Sequence, residues 1–144
     1  VPVLRISGNL SQQVVRFNDV AARNIDKVVQ DVSARIVTEI SNRNHIWTGR
    51  MIGNWNIGIN GADMTYDENR KDTSRSAMKA RNLPETKRAK MGDRVYITNA
   101  TPYAIYEEFG VPSRNRPGHP VIRGVAADIP LYVREIVAKV RSNG

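Results

Sequence analysis

The chain has 144 residues, with 22 Lys and Arg against 14 Asp and Glu, giving a formal net charge of +8. That length fits one domain, and a 40% hydrophobic content with only 6% aromatics predicts an aliphatic core that needs no metal or disulfide to hold it. The lack of cysteine excludes a disulfide scaffold, a thiolate zinc centre and a cysteine nucleophile, and no apolar run approaches the roughly 18 residues of a membrane-spanning helix.

The opening VPVLRISGNL has no basic stretch followed by an apolar one, so no secretory signal is expected. The first predicted element is a long helix over 12–44. Val14, Phe17, Ala21, Ile25, Val28, Val32, Ile36 and Ile40 recur at steps of three or four, and no Pro or Gly intervenes. Ser11 is its expected N-cap. A rod of roughly 50 Å is long for this domain, so part of its stripe is as well suited to a neighbouring subunit as to its own core. Beyond Gly53 the period drops to two. Trp55, Ile57 and Ile59 alternate with Asn54, Asn56, Gly58 and Asn60, predicting a strand with one buried face, and Asn60-Gly61 supplies a turn. Trp47 and Trp55 are both expected in the core.

A second strand is predicted at 94–98, where Val95 and Ile97 alternate with Tyr96 and Thr98. Between the strands lie about thirty residues of low apolar content, holding at most a short helix over 74–82 that Leu83-Pro84 ends. Residues 61–93 therefore read as an extended basic arm. Thr101 as cap and Pro102 at the first turn open a short helix, which Gly110 closes. Tyr103, Tyr106 and Phe109 are expected to anchor that helix in the core. A proline-rich loop over 111–120 leads to a last helix over 123–141 with the stripe Val125, Ile129, Val133, Ile136 and Val140. Pro130 must kink that helix or restart it after Asp128. The predicted fold is α+β: N- and C-terminal helices packed on a small antiparallel sheet, with the arm between strands.

The net charge is concentrated. Residues 70–94 hold nine basic residues against Asp72, Glu85 and Asp93, a surplus of six. Arg70, Lys71, Arg75, Lys79, Arg81, Lys87, Arg88 and Lys90, with Arg114 and Arg116, form the expected interface set, facing an acidic protein surface or phosphate. The segment has no interleaved aromatics and no helix-turn-helix or zinc-finger pattern, so sequence-specific DNA recognition is not expected.

Catalytic chemistry finds little support. His45 and His119 stand far apart in sequence without a ligand spacing, and packing or capping is their expected role. Asp63, Thr65, Asp67 and Glu68 alternate oxygen ligands without the glycine turn or distal glutamate of a calcium loop. Glu107 and Glu108 are neighbours that point about 100° apart on a helix, which is unsuited to paired acid and base. No catalytic, cofactor or metal residues are assigned.

Two stretches carry a resemblance. They are TGRMIGNWNIGI at 48–59 and VYITNATPYAIYEEFGVPSRNRPGHPVIRGVAAD at 95–128. A Thr48-Gly49 turn into a strand with Trp55, then a strand running into Tyr103, Tyr106, Glu108, Phe109 and Gly110 before a proline loop, resembles the neck and tail-completion proteins of long-tailed bacteriophages. The order of elements matches over about three-quarters of the chain. Pro120-Val121 stands where that family usually has Pro-Phe. The resemblance implies a non-enzymatic virion protein of the neck, without cofactor, assembled in the host cytoplasm into a homo-oligomeric ring, six-fold or twelve-fold. Its implied partners are the adjacent neck, portal or connector, and tail-terminator or tail-tube proteins, with genomic DNA passing through the lumen. A small basic protein acting on phosphates is the alternative, and it predicts a DNA affinity that falls steeply with salt.

Overall fold

The computed structural model describes residues 4–6 and 25–143. Its elements are β1 (Leu4–Ile6), α1 (Ile25–Arg43), α2 (Arg50–Gly53), β2 (Trp55–Ile59), α3 (Ser76–Thr86), β3 (Val95–Asn99), α4 (Ala104–Phe109), a 3-10 turn (Pro112–Arg114) and α5 (Ile122–Asn143). The chain is α+β. The expected Ser11 cap and the stripe positions Val14, Phe17 and Ala21 lie outside the described residues.

The sheet is antiparallel in the order β1-β3-β2, with Leu4 opposite Asn99, and Ile57 opposite Ile97. β1 was not anticipated, because three residues are too few to display an alternation. α1 packs against both α3 and α5, α3 also against β2, and α5 also against β1. The α1 stripe Val28, Val32, Ile36 and Ile40 meets Val125, Ile129, Tyr132, Val133, Val137 and Val140 of α5 in one aliphatic core. Trp55 is the largest side chain fully enclosed there, and its indole Nε1 donates to Asn44 Oδ1 at 2.6 Å. Tyr132, absent from the predicted stripe, is clamped by α1: Arg35 lies 4.6 Å over its ring, and Arg43 donates to its hydroxyl at 3.1 Å.

Pro84, expected to end its helix, is carried within α3, and Pro130 lies inside a single α5 that does not restart after Asp128. Pro130 has no N–H to give the carbonyl of Ala126, but both residues are exposed, which leaves that carbonyl open to solvent. Pro84 likewise sits in the exposed last turn of α3, which runs to Thr86.

The largest correction concerns 61–93, which is docked onto the core as part of it. Asn54 and Asn56, expected on a wet face of β2, are both buried and hold this segment by its backbone. Asn54 Nδ2 donates to the carbonyls of Arg50 and Asp67 at 2.8 and 2.9 Å, and its Oδ1 accepts from Asp67 N–H at 2.9 Å. Asn56 donates to Thr65 O at 2.7 Å, and the Thr98 hydroxyl donates to Asp63 O. Further on, buried Asn82 acts as a substitute strand along the free edge of β2. It donates to Trp55 O at 2.8 Å and accepts from Ile57 N–H at 3.2 Å. Met78 and Ala89 complete the docking with apolar burial. Its low apolar content alone would not offset its ordering. Buried amides supply what the apolar residues do not, because each satisfied backbone group avoids a desolvation cost of about 1–3 kcal/mol.

Gly49 is the landing point for this segment. Its φ is +78°, and a Cβ there would lie 2.7 Å from the backbone of Asp72, whose N–H donates to Gly49 O at 2.9 Å. A side chain at 49 is therefore excluded by both conformation and space. Asp72 in turn starts α3, accepting from Met78 N–H at 2.7 Å and from the Ser74 hydroxyl at 2.8 Å. Burial works against ionisation of Asp72, but the hydrogen bonds from Met78, Ser74 and Arg75 outweigh it and hold the carboxyl below its ordinary value. A depressed native pKa stabilises the fold above the unfolded value of about 3.9, and that contribution disappears as pH falls through the native one. Asp72→Asn should therefore flatten the acid limb of the stability profile below about pH 4. Denaturant melts from pH 2 to 6 check this, and an unchanged slope would contradict it.

Candidate functional site

The stretch that carries the resemblance builds one end of the molecule. In α4 the positions four apart, Ala104 and Glu108, turn inward and are buried. Tyr106 and Phe109, three apart on the opposite face, are 55% and 53% exposed. The expectation that both anchor the core is corrected, since the helix spends its inward face on a carboxylate. Tyr103 alone is partly buried against the core, and Thr101 does not cap the helix: its hydroxyl is buried without a partner. Trp47 is also corrected. It is 71% exposed and meets Tyr103 edge to face, with ring centroids 6.1 Å apart.

Glu108, only 1% exposed, caps the N-terminus of α5 from outside the helix. Its Oε2 accepts from the N–H groups of Val121 and Ile122 at 2.7 and 3.1 Å, and its Oε1 from Arg123 N–H at 2.9 Å. Those are the donors that a helix leaves unpaired, at its positive end. The Arg123 side chain closes the arrangement, donating from its guanidinium to Glu108 O at 2.6 Å and lying 4.6 Å over the Phe109 ring. Gly110 follows with φ +78°, and a Cβ there would lie 2.6 Å from Gly118 N. The two glycines let the loop fold back, bridged by Val111 and Arg116, so that His119 N–H reaches Glu107 O at 2.5 Å. The Glu-Phe-Gly run thus fixes how α4, the loop and α5 meet.

The same fold-back joins the two histidines. The rings of His45 and His119 stack with centroids 4.3 Å apart and planes 9° from parallel. Glu107 lies beside them, its Oε2 3.5 Å from His119 Nδ1, and one ligand atom from each of the three residues falls within 4.8 Å of the others. The expectation that the histidines stand apart fails because His45 follows α1 while His119 precedes α5, and only the Gly110–Gly118 turn brings them together. No local spacing announces such a pair. A cleft of about 350 Å³ opens next to it, lined by Trp47, Tyr106, Val111 and Arg116 among others.

The expected interface cations divide into two groups. Arg75 and Arg81 belong to the fold: Arg75 donates to the carbonyls of Ser41 and Asn44 at 2.5 and 2.6 Å, closing the C-terminal end of α1. Arg81 donates to Gly53 O at 2.5 Å and to Asn56 Oδ1 at 2.6 Å. Lys71, Lys87, Arg88, Lys90, Arg114 and Arg116 are exposed, while Arg70 and Lys79 are half-buried. Asp63 and Asp67, weighed as calcium ligands, accept from the N–H groups of Thr65 and Asn69 at 2.9 Å as turn-forming residues. No described helix is long and apolar enough to cross a membrane. The chain matches no protein-family model, no curated protein and no solved structure.

Because Phe109 leaves the core, Phe109→Ala should cost below about 1 kcal/mol of stability, well under the roughly 3–5 kcal/mol of a buried aromatic. A loss near the larger figure in chemical denaturation would contradict the exposed placement.

Proposed function

We propose that this chain is a structural virion protein, a subunit of a ring in the neck of a long-tailed bacteriophage that joins the DNA-filled head to the tail. The observation that carries this reading is the aromatic end formed by Trp47, Tyr106 and Phe109. Three large aromatic side chains, 71%, 55% and 53% exposed, are left to solvent at this end. Clustered exposed aromatics mark protein interfaces, where Trp and Tyr supply much of the binding energy. The resemblance lies in the residues that build this end. A closing ring adds its interface energies around the circle, so modest patches of this kind suffice.

In this reading the protein is not an enzyme. Among the described residues no nucleophile, base and oxyanion-binding donors converge. Its partners are its own copies, the portal or connector ring and the tail-side rings. The exposed cations Lys71, Lys87, Arg88 and Lys90 then face an acidic neighbour, and DNA passes the lumen without base-specific contact. The phosphate-binding alternative is weakened, because Arg75 and Arg81 commit their guanidinium groups to main-chain carbonyls.

A phage whose copy of this gene carries Trp47→Ser and Tyr106→Ser should yield filled heads and free tails that fail to join. Infectious particles at the wild-type titre would overturn the reading.

A further inference from the structure

We propose that His45, Glu107 and His119 form a binding site for one divalent transition-metal ion of the zinc class, with open coordination positions facing the adjacent cleft. The inference does not depend on the neck reading. Two imidazoles and one carboxylate are the donor set that suits zinc and its d-block neighbours. Calcium and magnesium prefer oxygen ligands throughout.

Three observations support it. First, the donor atoms already lie within 4.8 Å of one another. Bonds of about 2.0–2.1 Å at tetrahedral angles set ligand atoms roughly 3.4 Å apart, so the widest pair must close by up to about 1.4 Å. The side chains of His45 and His119 are exposed, and turning the rings out of their parallel stack lets their lone pairs converge. Second, the backbone beneath is fixed. His119 N–H is bonded to Glu107 O, and the Gly110–Gly118 contact holds that loop against α4. Third, in a chain of net charge +8, no Lys or Arg among the described residues pairs with the Glu107 carboxylate. Its neighbour Glu108 has Arg123. A carboxylate without a Lys or Arg partner beside two imidazoles is arranged for a metal. Trp47 and Tyr106 line the same cleft and shield part of the site from bulk water.

The test uses the full-length chain without a histidine tag, stripped of metal by chelator. Titration with Co2+ should bring up visible d–d absorption that saturates at one ion per chain, and Zn2+ should abolish it by displacement with a Kd of about 1 µM or tighter. Mg2+ should not compete. His45→Ala, His119→Ala and Glu107→Gln should each weaken Zn2+ at least about tenfold, with unchanged far-UV circular dichroism, because none of these side chains supports the core. No Zn2+ binding at about 1 mM would overturn the proposal. So would binding of undiminished affinity in the His45→Ala/His119→Ala double variant.

Discussion

Glu108→Ala should lower the unfolding free energy by about 3–5 kcal/mol, among the largest losses of any single substitution in this chain. The carboxylate accepts three consecutive main-chain N–H bonds at the start of α5 and a fourth from Arg123. Removing it leaves Val121 N–H buried without a partner and strips the anion from the positive end of a 22-residue helix. Glu108→Gln keeps the shape and some acceptor capacity, so it should lose only about 1–2 kcal/mol. The order of the two variants is diagnostic. Equal losses, or losses below about 1 kcal/mol, in urea denaturation would mean that Glu108 does not hold α5 in place. A catalytic acid would behave differently, since its replacement tends to spare stability.

Asn54→Ala should cost about 2–4 kcal/mol and release the segment from 61 to 72. The side chain bonds main-chain groups of Arg50, Asp67 and Arg70, and it is wholly enclosed. No water can replace it without opening the β2 face. In the wild-type chain, amides from 61 to 93 should exchange slowly, and trypsin should cut slowly between Arg70 and Lys90 despite the many basic sites there. In the variant both should accelerate. Fast cleavage of the wild-type segment would return it to the status of a free arm.

These two residues show where the sequence was readable. The helical stripes of α1 and α5 are mostly Val and Ile at regular spacing, and burial follows that spacing, widened by Val29, Val37, Tyr132 and Val137 and with Ile136 only partly covered. The alternation in β2 was equally clear. What it could not disclose is that the Asn face is covered too, because an asparagine facing water and one bonded to a buried backbone look alike in sequence. That ambiguity, together with the low apolar content of 61–93, made a docked segment read as an arm. In α4 the misreading ran the other way. Tyr106 and Phe109 were assigned to the core by hydrophobicity, yet Glu108 at the inward position has a stronger claim through the helix it caps. The histidine pair depends on a long-range turn whose glycines gave no hint of their partners.

Association through the aromatic end is tested most directly by light scattering coupled to size-exclusion chromatography, with negative-stain imaging of the same fractions. The wild-type chain at high concentration should run as closed rings of uniform mass. The Trp47→Ser/Tyr106→Ser variant should run as a folded monomer with an unfolding midpoint close to wild type, because both side chains lie outside the core. A wild-type chain that stays monomeric at every concentration, or rings that form equally well from the variant, would contradict it.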